Sequence, residues 1–438
     1  MGRGCVSLVN SKVNEYIQEI CSYVKFRKAH KEIKTEFLSH IKEKTEDLML
    51  KGMNEEEASK KALTEMGQAE IIGKQLNQSH KSAPEWSILI ITIVLSLLGL
   101  VVAYLLITYG INIDAAGFKK STVFTIIGFA IIAGLYFFDY KKMEKYSGKI
   151  FIGVSLLLLL QLLTAVPING LKAWISLGLL SFNVTELSLF LYVISLPKLL
   201  RSIELKSVKG YLSLSSMLLI PILLFIELKV FMAAVTYFII FAMLMIKFKV
   251  KITYILSVIG VFIAGCFYMV ISEPYRIKRV LIFINPQSDP KGSGWMNIQI
   301  QNLLATSGLM GNGFNFPKST IPVVESDFVL TYIIYTFGWI TAVILIIFIL
   351  AFIIRIFNAA KVVMDVYGSC IIQGFMCIFA MKFIWNILMV FGLAPIISVT
   401  LPFISYGGSS LLMQMAAIGL IMSIYRCKSL SYTPNWIK

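Results

Sequence analysis

The sequence predicts an all-α, polytopic membrane protein with about ten transmembrane helices, preceded by a small cytosolic helical bundle. Hydrophobic residues make up 57% of the 438-residue chain, and its mean hydropathy is +0.79. From Trp86 onward the chain repeats apolar runs of about 20 residues, the length that crosses the hydrocarbon as a helix. The first 83 residues, by contrast, are polar and helical in period. The expected domains are therefore 1–83, the cytosolic prefix, and 84–438, the membrane part.

In the prefix, Val13, Ile17, Ile20 and Val24 fall on one helical face, and Ile33, Phe37, Leu38 and Ile41 repeat the spacing. Asn54 followed by Glu57 reads as a capping box, with Gly67 as the stop. The stretches Gly52-Met-Asn-Glu-Glu-Glu-Ala-Ser59 and Met66-Gly67-Gln68-Ala69-Glu70 resemble the helical permease-prefix domain that precedes some bacterial membrane proteins. That resemblance implies docking or sensing; a passive helical cap is the other reading.

The spans are expected near 86–108, 122–138, 149–166, 180–197, 211–228, 230–246, 252–272, 327–354, 368–392 and 405–424. Lys141, Lys142, Lys145 and Lys149 lie in one alternate loop, Lys198, Arg201, Lys206 and Lys209 in the next, and Lys247, Lys249 and Lys251 in a third. Arg355, Lys361, Arg426 and Lys428 continue the series. All fall on one side if both termini are cytoplasmic, as cationic loops prefer. The opposite side holds a loop of residues 273–326, and loops of that size are functional or disordered.

The formal charge of +16 does not indicate a nucleic-acid partner, because the excess sits in these short loops. Cys5, Cys21, Cys266, Cys370, Cys377 and Cys427 show no paired spacing and read as packing residues. His30, His40 and His80 all lie in the prefix, so acid–base chemistry in the membrane part falls to carboxylates. No cleavable signal peptide is expected, since the first apolar span starts near Trp86.

The segment Leu401-Pro-Phe-Ile-Ser-Tyr-Gly-Gly-Ser-Ser410 sets a polar turn between long apolar runs. Irregular backbone at membrane depth is tolerated where protein or a water-filled cavity buries it. Pro402, Gly407 and Gly408, beside the hydroxyls of Ser405, Ser409 and Ser410, therefore suggest a structured corner at a cavity, against the plainer reading of a hairpin. This string resembles the signature of the SEDS family (shape, elongation, division and sporulation proteins). Five further blocks carry the likeness in order. They are Asn169-Gly170-Leu171-Lys172-Ala173-Trp174-Ile175 with Phe182 and Glu186; Tyr275-Arg276-Ile277-Lys278-Arg279 with Asn285-Pro286 and Asp289-Pro290; Gly294-Trp295 with Gln299, Gly308, Gly311 and Gly313; Pro322 with Glu325-Ser326-Asp327-Phe328; and Asn386, Met389, Gly392 and Pro395.

The resemblance implies a peptidoglycan glycosyltransferase that polymerises lipid II, the undecaprenyl-pyrophosphate disaccharide peptide, beside a class B penicillin-binding protein and among membrane lipids. Such chemistry needs a carboxylate to take a hydroxyl proton and cations where the leaving diphosphate gains charge. Asp327 matches the family's catalytic acid; by position alone it would read as a helix N-cap. Glu325 stands where the family has His, and a second carboxylate this close raises the pKa of the first. Arg276, Lys278 and Arg279 read as phosphate ligands or as headgroup anchors. Lys172, Trp174 and Gln299 are further substrate candidates, although Ala173 replaces a second basic residue. Lys382, an intramembrane charge, is expected to face the cavity, and Glu186 to pair with a cation or line it. Ile226-Glu227-Leu228-Lys229 departs from the family's Pro- and Gly-containing text there. No ligand cluster for a metal is evident, although Mg or Mn can bridge a pyrophosphate. A lipid II flippase and a non-catalytic transpeptidase scaffold are the alternatives.

Overall fold

The computed structural model describes residues 2–25, 29–79, 84–111, 115–165, 172–177, 180–203, 207–271, 274–317 and 321–428. His80, Asn169, Gly170, Leu171 and Lys206 lie outside them, as do the side chains of Cys5, Cys266, Tyr275 and Arg276. The chain divides into two compact units, one of residues 1–84 with 363–365 and 426–438, the other of 85–362 with 366–425.

The first unit is built on α1 (Gly2–Tyr23), α2 (His30–Leu50), α3 (Glu55–Met66) and α4 (Ala69–Ser79). Val13, Ile17, Ile20, Val24, Ile33 and Ile41 are buried, the stripe their spacing dictates, whereas Leu38 is exposed. The Tyr16 hydroxyl donates to the Gly67 carbonyl (2.8 Å), tying α1 to the end of α3. The capping box is corrected: Asn54 is the extended N-cap, but its side chain makes no capping bond. Glu55, Glu56 and Glu57 fill the first turn instead, where carboxylates meet the positive end of the helix dipole.

In the second unit a helix stands on each of the ten apolar segments. These are α5 (Trp86–Thr108), α6 (Ala115–Phe137), α8 (Ser147–Thr164), α9 (Val184–Arg201), α10 (Val208–Glu227), α11 (Phe231–Lys247), α12 (Ile252–Ile271), α15 (Val329–Val362), α16 (Val366–Val390) and α17 (Gly408–Arg426). The short α7 (Lys141–Glu144) precedes α8, and the segment between α12 and α15 carries α13 (Pro274–Ile284) and α14 (Trp295–Thr306). Among the described residues, seven helices are long and apolar enough to cross a membrane: α5, α6, α8, α10, α15, α16 and α17. Leu97, Val101, Leu156 and Ile347 point outward, as lipid-facing residues do. Helix α9 is packed on most sides, with Tyr192, Val193, Ile194 and Leu196 buried, so it tolerates Glu186, Lys198 and Arg201 at its ends. Cys21, Cys370 and Cys427 are buried and Cys377 is half-buried, and none of these four is in a disulfide.

An antiparallel hairpin, β1 (Trp174–Leu177) with β2 (Leu180–Asn183), was not legible in the sequence. It pairs Trp174 with Asn183 and runs directly into α9.

Helix α15 has 34 residues, about 51 Å of helix against a hydrocarbon core of about 30 Å. It breaks at Gly338 (φ 87°, ψ 173°). The segment between α14 and α15 satisfies the freed backbone groups. Trp339 and Ile340 N–H donate to the carbonyls of Gly308 and Leu309, and Asn312 and Gly313 N–H donate to those of Tyr335 and Thr336. The close approach needs glycine on both sides, since a Cβ on Gly338 would collide with the Leu309 carbonyl and one on Gly311 (φ 81°) with the Thr336 carbonyl. Gly338→Ala is expected to cost about 2 kcal/mol or more in detergent unfolding, from left-handed strain plus the clash. Gly134→Ala, where nothing lies within 4 Å of the new methyl, is the control and should be close to neutral.

Candidate active site

Asp327 lies at the end of the segment that joins α14 to α15, two residues before α15 begins. It is 8% exposed. Three consecutive carbonyls hold this stretch in place. The Glu325 carbonyl accepts from Tyr406 N–H (2.8 Å). The Ser326 carbonyl accepts from the Ser405 hydroxyl (2.5 Å), and the Asp327 carbonyl from Asn386 Nδ2 (2.9 Å). The segment 398–406 is thus stitched alongside 325–327. The hydroxyls of Ser398 and Ser326 stand close enough to the Asp327 carboxyl to favour its charged form.

Burial pushes the Asp327 carboxyl up to about 6; the two hydroxyls pull it down, and the Glu325 charge adds a smaller upward push. The neighbouring carboxylate therefore acts in the expected direction, but desolvation is the main cause. A carboxylate of this kind, nearly dry yet ionised at neutral pH, is suited to accept a proton. Glu325 keeps one oxygen, Oε2, buried and without a hydrogen-bond partner among the described residues.

A second polar cluster lies deeper. Lys382 Nζ donates to Glu186 Oε1 at 2.7 Å, and the two side chains are only 13% and 16% exposed. The Ser410 hydroxyl reaches both Glu186 oxygens (2.8 and 2.7 Å) and accepts from Gln414 Nε2 (3.0 Å). Asn183 caps α9 by accepting from Glu186 N–H (3.2 Å), and its own N–H donates to the Ser409 hydroxyl (3.3 Å). The ion pair lines a cleft with apolar walls from Leu189, Phe190, Phe375 and Phe379. Gln414 Oε1 accepts from Phe403 N–H (2.8 Å), so the segment 401–414 joins this cluster to Asp327.

A family profile described as "Cell cycle protein", FtsW/RodA/SpoVE, matches residues 85–430. The chain belongs to the FtsW/RodA/SpoVE family. It is 28% identical to a probable peptidoglycan glycosyltransferase FtsW of Trichlorobacter lovleyi over 323 residues, 71% of this chain and 84% of that protein. It is 27% identical to stage V sporulation protein E of Bacillus subtilis over 366 residues, 80% and 98% of the two chains. Its fold matches a chain of a solved peptidoglycan synthase complex with a TM-score of 0.66 at 23% identity, over 79% of this chain and 99% of that one.

As an FtsW/RodA/SpoVE protein the chain is a multi-pass membrane protein, and its signature segment is a scaffold as much as a surface. Pro402 is buried in the turn, and the left-handed residue is Phe403 (φ 66°), not a glycine. Gly407 precedes α17, and Gly408 opens it with its Cα against the Phe124 ring. Ser405 spends its hydroxyl on Ser326 and Leu401, and Ser410 on Glu186. Lys172 Nζ donates to the Leu162 carbonyl (3.2 Å) near the end of α8, a helix-capping position. Lys278 pairs with Asp289 (3.0 Å), and this contact holds the partly exposed Asp289 carboxyl below the usual range. Arg279 stands on the exposed side of α13, and Gln299 is half-buried on α14. Glu227 is the last residue of α10 and not an interior charge. Sequence reasoning missed Ser398, Gln414 and Asn183 as parts of the site. A lone Ser, Asn or Gln in an apolar stretch carries no signal until folding shows what it faces.

Proposed function

We propose that this chain is a peptidoglycan glycosyltransferase that polymerises lipid II at the outer face of the bacterial cytoplasmic membrane. The observation that carries this reading is the buried carboxylate of Asp327, in a chain whose relatives bear the glycosyltransferase name. In the proposed step an acceptor sugar hydroxyl attacks the donor's anomeric carbon with inversion. The new C–O bond forms as the bond to the diphosphate breaks, undecaprenyl pyrophosphate leaves, and the hydroxyl proton passes to Asp327. Cations of the external segment, Arg276, Lys278 and Arg279, offset the charge on the leaving diphosphate. A class B penicillin-binding protein is the proposed partner, by analogy with the synthase complex whose chain shares this fold.

Both termini are proposed to be cytoplasmic, all ten apolar helices to cross, and residues 273–326 to face outward, because the cations of alternate loops then share one side. Ser293, exposed in a turn held by Asp289, reports on this. Ser293→Cys in a cysteine-free background should react with an impermeant maleimide on intact cells. Labelling only after permeabilisation would reverse the topology. The activity itself is tested by incubating the purified full-length chain with labelled lipid II, alone and with a class B transpeptidase. Glycan strands are expected. Unchanged lipid II under both conditions would favour a scaffold or a flippase.

A further inference from the structure

Asn386 sits on α16, fully buried at 0% exposure. One Nδ2–H reaches the Asp327 carbonyl (2.9 Å) and the other the Val399 carbonyl (2.7 Å). Those two carbonyls belong to separate segments, one ending in Asp327 and one passing through Val399. The amide is therefore a clamp between the residue that carries the proton acceptor and the neighbouring segment 398–406. Its oxygen, Oδ1, is buried with no partner among the described residues. Leaving a buried acceptor unsatisfied costs about 1–3 kcal/mol, which an apolar residue of similar size avoids. A half-satisfied buried amide beside a reactive carboxylate is therefore better explained by position than by stability.

We infer that Asn386 is a positioning residue for the polymerisation step: it locks the backbone of Asp327 against that of Val399 so that the carboxylate faces the acceptor hydroxyl in one orientation. The inference rests on the reading of Asp327 as the base. Neither side chain that replaces an amide here does the same work. A carboxylate would set an anion against two carbonyl oxygens, and an aliphatic group would leave both carbonyls without donors. Without the clamp, the two segments are free to separate and water reaches the Asp327 carboxylate. Among the described residues, Glu325 is the charged group that Asp327 feels.

The test uses the full-length protein with Asn386→Leu, and with Asn386→Ser should the first not accumulate. Tyr237→Phe is the control. It removes another buried hydrogen bond, to the Met217 carbonyl, far along the sequence from this site. Two quantities are read. In polymerisation, kcat should fall by roughly 10–100-fold with KM within about twofold, the size of a misplaced catalytic group. Independently of activity, carbodiimide labelling of the Asp327 peptide against pH should show the wild-type midpoint near 6 moving toward the ordinary carboxylate value of 3.8 in the variant. The control should leave both unchanged even where it lowers Tm. An unmoved labelling midpoint in a folded Asn386 variant overturns the clamp, as does a kcat loss no larger than the control's. If the wild-type chain polymerises nothing, the functional reading fails, while the labelling midpoint still decides the clamp.

Discussion

Asp327→Asn is expected to abolish polymerisation while leaving insertion, abundance and lipid II binding intact. The amide has nearly the shape of the carboxylate, so the packing around a residue 8% exposed persists. The amide oxygen also remains an acceptor toward the neighbouring Ser398 and Ser326 hydroxyls. What disappears is the ability to take a proton, and loss of a general base costs about 10²–10⁴-fold in rate. Strand-length gels read that loss without ambiguity. Glu325→Gln is the comparison and should have the smaller effect, because Glu325 contributes the least of the influences acting on Asp327. Retained activity in Asp327→Asn with loss in Glu325→Gln would move the base by two residues.

The largest effect on stability is expected from halving the Glu186–Lys382 pair. Both groups are nearly out of water, so removing one partner strands the other's charge. Lys382→Met or Glu186→Gln alone should destabilise by about 3–5 kcal/mol, the usual cost of an orphaned buried charge. The double variant should recover much of that, since it removes both charges together. In it the Ser410 hydroxyl can still bond the amide that replaces the carboxylate, and Gln414 still donates to Ser410. A double-mutant cycle in detergent unfolding measures this. Additive losses would mean that the two groups are solvated and the cleft wetter than its apolar walls imply.

The helices were legible because their causes are local. Apolar length fixes α5 and α17, and the stripe Val13, Ile17, Ile20 and Val24 fixes α1. Glu186 and Lys382 were legible as chemistry because a charge inside a span is conspicuous, whereas Asp327, a helix N-cap by position alone, was legible only through the family resemblance. Their surroundings were not legible. Ser405 read as a hydroxyl lining a cavity, yet that hydroxyl holds the Ser326 carbonyl, a role set by tertiary packing alone. The break at Gly338 was hidden inside a continuous apolar run, because its cause lies in Gly308 to Gly313, far back in the sequence. The burial that raises the Asp327 pKa is likewise a property of three segments meeting, and no single one of them encodes it.

The pH dependence of polymerisation by the wild-type chain tests the central claim most directly, that a buried Asp327 carboxylate takes the acceptor proton. The base acts only when ionised, and burial places its titration at about 6. The rate should therefore be level at neutral pH and fall as pH drops through about 6, approaching tenfold per unit below it. In the folded protein, a rate unchanged from neutral pH down to about 4.5 would contradict the account, because a carboxyl protonated across that interval cannot be the group that accepts the proton.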